Sequence, residues 1–113
     1  MANNLNLVGR LTRDVELRET PSGIKVANPV LAVKRDFPNK EGIYETDFVK
    51  VTLWKNDAEF ANRNGKKGDI VSINGRLESS VLENQDGSKN TSLNVIANKF
   101  EVVQKNKNKD YER

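Results

Sequence analysis

Strand side chains alternate, and in Thr46-Asp47-Phe48-Val49-Lys50-Val51-Thr52-Leu53-Trp54 the alternation is strict. Val49, Val51 and Leu53 share one face, aliphatic and β-branched, suited to a core. Phe48, Lys50, Thr52 and Trp54 share the other, which mixes two rings with a cation and a hydroxyl. Large rings are costly to leave in water, so two on a polar strand face point to a use. Flat rings beside cations can stack nucleobases, each stack contributing about 1–3 kcal/mol whatever the base. Phe48 and Trp54 stand roughly 20 Å apart along a strand, a span of several nucleotides rather than one small ligand. The competing reading is that this face packs on another subunit or on a helix.

Cations recur beside the aromatics. Lys50 lies between the two rings, and Lys34-Arg35 runs into Phe37, a third aromatic platform. Arg10, Lys55, Lys66, Lys67 and Arg76 are further phosphate-contact candidates, each weighed against an ordinary solvated charge. Phe60 is expected to be a core-facing residue of a helix, and Tyr44 serves either as a loop anchor or as a stacking residue.

Other chemistries find no residues. Zero Cys and zero His exclude thiolate and imidazole metal sites, a Cys nucleophile and a Ser-His triad. Asp14, Glu16, Asp36, Asp47, Asp57 and Asp69 lack metal-loop spacing, and Gly65-Lys66-Lys67-Gly68-Asp69 lacks the spacing of a phosphate-binding loop. The expectation is a non-catalytic protein with no metal and no cofactor.

The elements that must hold these residues are mostly strands. Leu5, Leu7 and Leu11 alternate with polar positions around Gly9, which suggests a bulge or bend. Thr20-Pro21-Ser22-Gly23 reads as a hairpin turn, and Pro29 implies an edge or a bulge in the second strand. Residues 36–45 form a polar loop. Asn56–Asn64 is the helix candidate, capped by Asn56 or Asp57 and ended by Gly65. Strands follow through Val71, Ile73 and Leu77, then through Leu93, Val95 and Ala97. About five strands with one short helix between the third and fourth is the pattern of an all-β OB-fold, a five-stranded Greek-key barrel.

A chain of 113 residues holds one domain, expected over 1–103, with 104–113 a disordered basic tail. Nineteen basic and 16 acidic residues give +3, but residues 1–103 carry 15 and 14, a net of only +1. Any anion-binding surface must therefore come from where charge is placed. No run approaches the ~20 apolar residues of a membrane span, and the N-terminus lacks signal-peptide anatomy, so a cytoplasmic protein is expected.

Leu7-Val8-Gly9-Arg10-Leu11-Thr12-Arg13-Asp14, the Leu31–Phe37 run, Thr46–Trp54, Lys66–Asp69 and Gly75–Ser80 with Glu83–Gly87, in this order and spacing, resemble the bacterial single-stranded DNA-binding protein family from about residue 4 to 103. The resemblance implies a homotetramer of OB-folds, a dimer being the other assembly considered. It also implies sequence-independent binding of single-stranded DNA in replication, recombination and repair. Phe37, Phe48 and Trp54 match family stacking positions, and Lys34, Arg35, Lys50 and Arg76 lie near its DNA path. The chain departs at Leu82, where the family carries an aromatic, and at Glu78-Ser79-Ser80-Val81, usually basic; these departures imply weaker binding, or a DNA path that avoids the hairpin. The acidic, Phe-ended tip that recruits replication and recombination proteins in major members has no counterpart in Lys107–Arg113, which puts a partner-hub role in doubt. The alternative function is a primosome-type accessory OB protein, dimeric and mainly an interaction platform.

Overall fold

The computed structural model describes residues 1–106. Seven strands and one helix follow in order: β1 Leu5–Leu11, β2 Arg18–Glu19, β3 Lys25–Ala27, β4 Val30–Lys34, β5 Thr46–Trp54, α1 Lys55–Asn64, β6 Ile70–Glu83 and β7 Lys89–Gln104. β1 lies antiparallel between β4 and β6, β4 pairs with β5, and β6 pairs with β7. A parallel contact, Val51 opposite Val95 and Thr52 opposite Ile96, joins β5 to β7 and closes the ring. The result is the five-stranded OB barrel with its helix between the third and fourth barrel strands.

The barrel's second strand divides into β3 and β4 at Asn28-Pro29, because Pro29 has no N–H to give the ladder. Its carbonyl still accepts from the Val51 amide at 2.9 Å, so the break costs one bond and no register. The turn before β3 forms as expected, with Gly23 at φ +86° donating its N–H to the Thr20 carbonyl at 2.8 Å. Gly9 makes no bulge. It sits in regular register opposite Val71, and a Cβ there would lie 2.7 Å from the Ala32 carbonyl oxygen, so its role is close approach of two backbones.

Leu11, Leu31, Val51, Leu53, Val71 and Ile73 fill the barrel, each buried, and Ala58 and Ala61 of α1 close its end. The helix starts earlier than expected. Trp54 occupies the cap position with no side-chain cap, and Lys55 takes φ +55° to turn the strand directly into α1. Asn56 and Asp57 therefore lie inside the first turn, where the Asp57 charge suits the helix dipole. Phe60 is not a core residue: the two alanines take the buried face, and Phe60, 42% exposed, sets its ring edge-on to Phe100 at 6.5 Å.

Asp69 is the one buried charged residue among the described residues. It accepts from the Lys66 amide at 3.0 Å, the Asn106 amide at 2.8 Å and Lys105 Nζ at 2.9 Å, tying the α1–β6 turn to the end of β7. β7 thus runs to Gln104, and Lys105 and Asn106 bond back to Asp69; residues 107–113 of the stretch expected as tail lie outside the described residues. Burial pushes the Asp69 carboxyl up, and the three donors more than reverse this, holding it below the ordinary carboxylate range. A carboxylate held low contributes stability above its unfolded pKa and loses it as pH falls through the folded pKa. Asp69→Ala is expected to cost about 2–3 kcal/mol at neutral pH in urea unfolding, by stranding the two amides. That deficit should shrink as both proteins are taken from pH 6 toward pH 3.

Candidate nucleic-acid interface

The inward face of β5 is fixed by the core: Val51 and Leu53 are fully buried. Its outward face then carries Thr46, Phe48, Lys50, Thr52 and Trp54, with Phe48 68% and Trp54 40% exposed. Neither ring is buried in the barrel. Residues opposite one another across antiparallel strands share a face, so the register extends this surface sideways. Arg10 of β1 stands opposite Ala32, which stands opposite Phe48. Lys34 stands opposite Thr46, and Val30 opposite Lys50. On the other side Thr52 faces Ile96, which faces Arg76. The outer faces of β4 and β5 carry no carboxylate.

The expected cations separate by environment. Lys50 and Lys55 are exposed and make no ion pair among the described residues. Arg10 is also unpaired; its Nη1 donates to the Gly68 carbonyl at 2.7 Å, and it lines a cleft of about 390 Å³ with Ala32, Lys67 and Gly68. The α1–β6 turn thus brings Lys67 beside the outer face. Lys66 is half-buried in the same turn, its amide bonded to Asp69. Lys34 places Nζ 5.3 Å from the centre of the Tyr44 ring, a cation–π contact that joins Tyr44 to the edge of the surface.

Two arginines carry carboxylate partners. Arg35 bonds Asp47 through Nε at 3.0 Å and Nη2 at 2.9 Å, and Glu45 through Nη1 at 2.9 Å. Asp47 is one residue from Phe48 and on the opposite side of β5, so the structure does not bring Arg35 onto the aromatic face. The guanidinium holds the Asp47 carboxyl below its ordinary range. Arg76 does lie on the aromatic side but pairs with Glu78. Phe37, 80% exposed, lies in the loop between β4 and β5, off the sheet. Leu82 is exposed on the β6–β7 arm, on the same side as Arg76 by strand alternation.

Sequence reasoning passed over Arg18 and Asn28. Arg18 stands opposite Val26, and Val26 opposite Trp54, so Arg18 shares the outer face. Its Nη2 donates to Asn28 Oδ1 at 2.7 Å, and Asn28 Nδ2 donates to Thr52 Oγ1 at 3.0 Å. The signal available was the hairpin itself, since the register of the Thr20–Gly23 turn sets which residues of its two strands share a side.

Ring order, helix position and this open face define an OB-fold domain with an aromatic and cationic outer strand. A model of the Single-strand binding protein family matches residues 2–103, and the chain belongs to that family. It is 42% identical over 108 residues to Single-stranded DNA-binding protein 1 of Streptococcus pyogenes serotype M18, covering 96% of this chain and 83% of that protein. It is 44% identical over 108 residues to Single-stranded DNA-binding protein 4 of Streptococcus agalactiae serotype V, covering 96% and 78%. It is 42% identical over 104 residues to Single-stranded DNA-binding protein of Streptococcus mutans serotype c, covering 92% and 63%.

The two faces of β5 should separate cleanly by mutation. Phe48→Ala is expected to move the urea midpoint little, whereas Leu53→Ala should cost about 2–5 kcal/mol. Equal losses would show that Phe48 is part of the fold's core.

Proposed function

We propose that this chain binds single-stranded DNA without sequence preference, as a non-catalytic module, by stacking bases along the outer face of β5. One observation carries the reading: Phe48 and Trp54 stand exposed on one strand face, with Lys50 between them and no carboxylate among them. Stacking supplies affinity that is blind to base identity, because every base has a π-face. Phe37 extends the stacking surface beyond the sheet. Arg10, Lys34, Lys50, Lys55 and Lys67 supply phosphate contacts, with Lys66 at the margin. Arg35 and Arg76 contribute less than the spacing of the sequence suggests, since each must first leave a carboxylate.

The relatives' names and the family support this reading, and nothing in the site favours the primosome-type alternative. The role is the protection of unpaired strands during replication, recombination and repair, in the cytoplasm. The protein acts as an assembly of identical copies, a homotetramer by family likeness. No helix among the described residues is long and apolar enough to cross a membrane.

Trp54 is the sole Trp in the chain, so its fluorescence reports on one site. Titration with oligo-dT is expected to quench it, and added salt should weaken binding as counterions are released. Phe48→Ala and Trp54→Ala should each cost about 1–3 kcal/mol of binding free energy. A tight complex that leaves Trp54 emission unchanged would place the strand elsewhere.

A further inference from the structure

A cleft of about 350 Å³ lies at the bend between β1 and β2 and the Asn28-Pro29 step. Arg13, Arg18, Asn28 and Val30 line it, together with Asp14 and Glu16. The cleft adjoins the aromatic face at two points. Val30 is the cross-strand neighbour of Lys50, and Arg18 lies two interstrand spacings, about 10 Å, from Trp54 in the same row.

The hydrogen bonding of Arg18 differs from that of Arg35 and Arg76. Arg35 and Arg76 are held by carboxylates, which orient the guanidinium and cancel its charge together. Arg18 is held by a carboxamide. Asn28 orients the guanidinium through one N–H and removes none of its charge, and its own amide is anchored to Thr52 between Lys50 and Trp54. A guanidinium has five N–H donors, so an arginine that gives one to Asn28 keeps a fork for the two free oxygens of a phosphodiester.

We propose that Arg18, positioned by Asn28, is the phosphate-binding cation for the nucleotide stacked on Trp54, with the sugar-phosphate backbone of the strand seated in this cleft. The inference rests on the single-strand binding reading above and adds to it a site outside β5. Asn28 is the positioning residue: it places the charge without touching the phosphate.

The test measures binding of labelled oligo-dT by anisotropy across a salt series, with circular-dichroism melting to confirm that each variant is folded. Arg18→Gln is expected to lower affinity roughly tenfold. It should also reduce the slope of log affinity against log salt by about 0.7 per protomer engaged, the value for one phosphate on a single strand. Arg18→Lys should keep the slope while losing part of the affinity. Asn28→Asp should reproduce most of the Arg18→Gln loss, because a carboxylate would then cancel the same charge. Arg35→Gln should reduce the slope less than Arg18→Gln does, because Arg35 must first leave Glu45 and Asp47. The inference is overturned if wild type binds and Arg18→Gln matches it in affinity and slope, or if Arg35→Gln loses as much as Arg18→Gln. Wild type that fails to bind oligo-dT overturns the broader reading instead, and this inference with it. Arg18 is an exposed residue of a two-residue strand, so Arg18→Gln decides the matter even if Asn28→Asp does not fold.

Discussion

The parallel contact between β5 and β7 is the constraint on which the rest depends. It closes the barrel and commits Val51 and Leu53 to the interior. Burying each such side chain stabilises the fold by about 1.5–3 kcal/mol. A slip of one residue in β5 would expose both and drive Phe48, Lys50, Thr52 and Trp54 inward, so the register is strongly held. The orientation of the aromatic surface thus follows from the core, with no separate device needed to keep the rings outside. Pro29 fits the same scheme. Its missing N–H opens the second strand at one point, while its carbonyl keeps β5 in place through Val51.

The parts of this architecture readable in the sequence were those with a period. The nine residues of β5 alternate without interruption, and both the buried and the outward sets follow from that alone. The start of α1 was not readable, because the turn from strand to helix is made by a positive φ at Lys55, a residue whose type carries no signal for it. Phe60 misled for a related reason: the alanines, small and inconspicuous, own the buried face. Asp69 bonds its own turn at Lys66, as a turn carboxylate can. Its other two donors come from the far end of the chain, and only the folded path of β7 brings them there.

Charge was the least readable property, since a cation's worth depends on its neighbour. Arg35 and Lys34 are adjacent in sequence and similar in type. One is clamped by Glu45 and Asp47, and the other lies over the Tyr44 ring. The pairing of Arg35 needs the 35–45 loop to return on itself, which composition does not reveal. Arg18 lies in a strand too short to show a period, and its place on the outer face emerges only through two successive cross-strand pairs.

This sorting explains how a domain with a net charge of only +1 over residues 1–103 can present a surface suited to a polyanion. The acidic groups are not spread evenly. Asp47, Glu45 and Glu78 sit on arginines, Glu59 sits on Lys25, and Asp69 is buried under three donors. The outer faces of β4 and β5 are left with Lys34 and Lys50 and no carboxylate, and the adjoining row adds Arg10. Potential at a surface is set by its nearest charges, because separations beyond a Debye length of about 10 Å are screened at 0.1 M salt. Local sorting therefore matters more than the total. Stacking on exposed rings does not weaken with salt as phosphate contacts do. On the β6–β7 arm Leu82 offers no ring and Glu78 pairs with Arg76, so the exposed rings and unpaired cations of this face lie on β5 and the strands beside it.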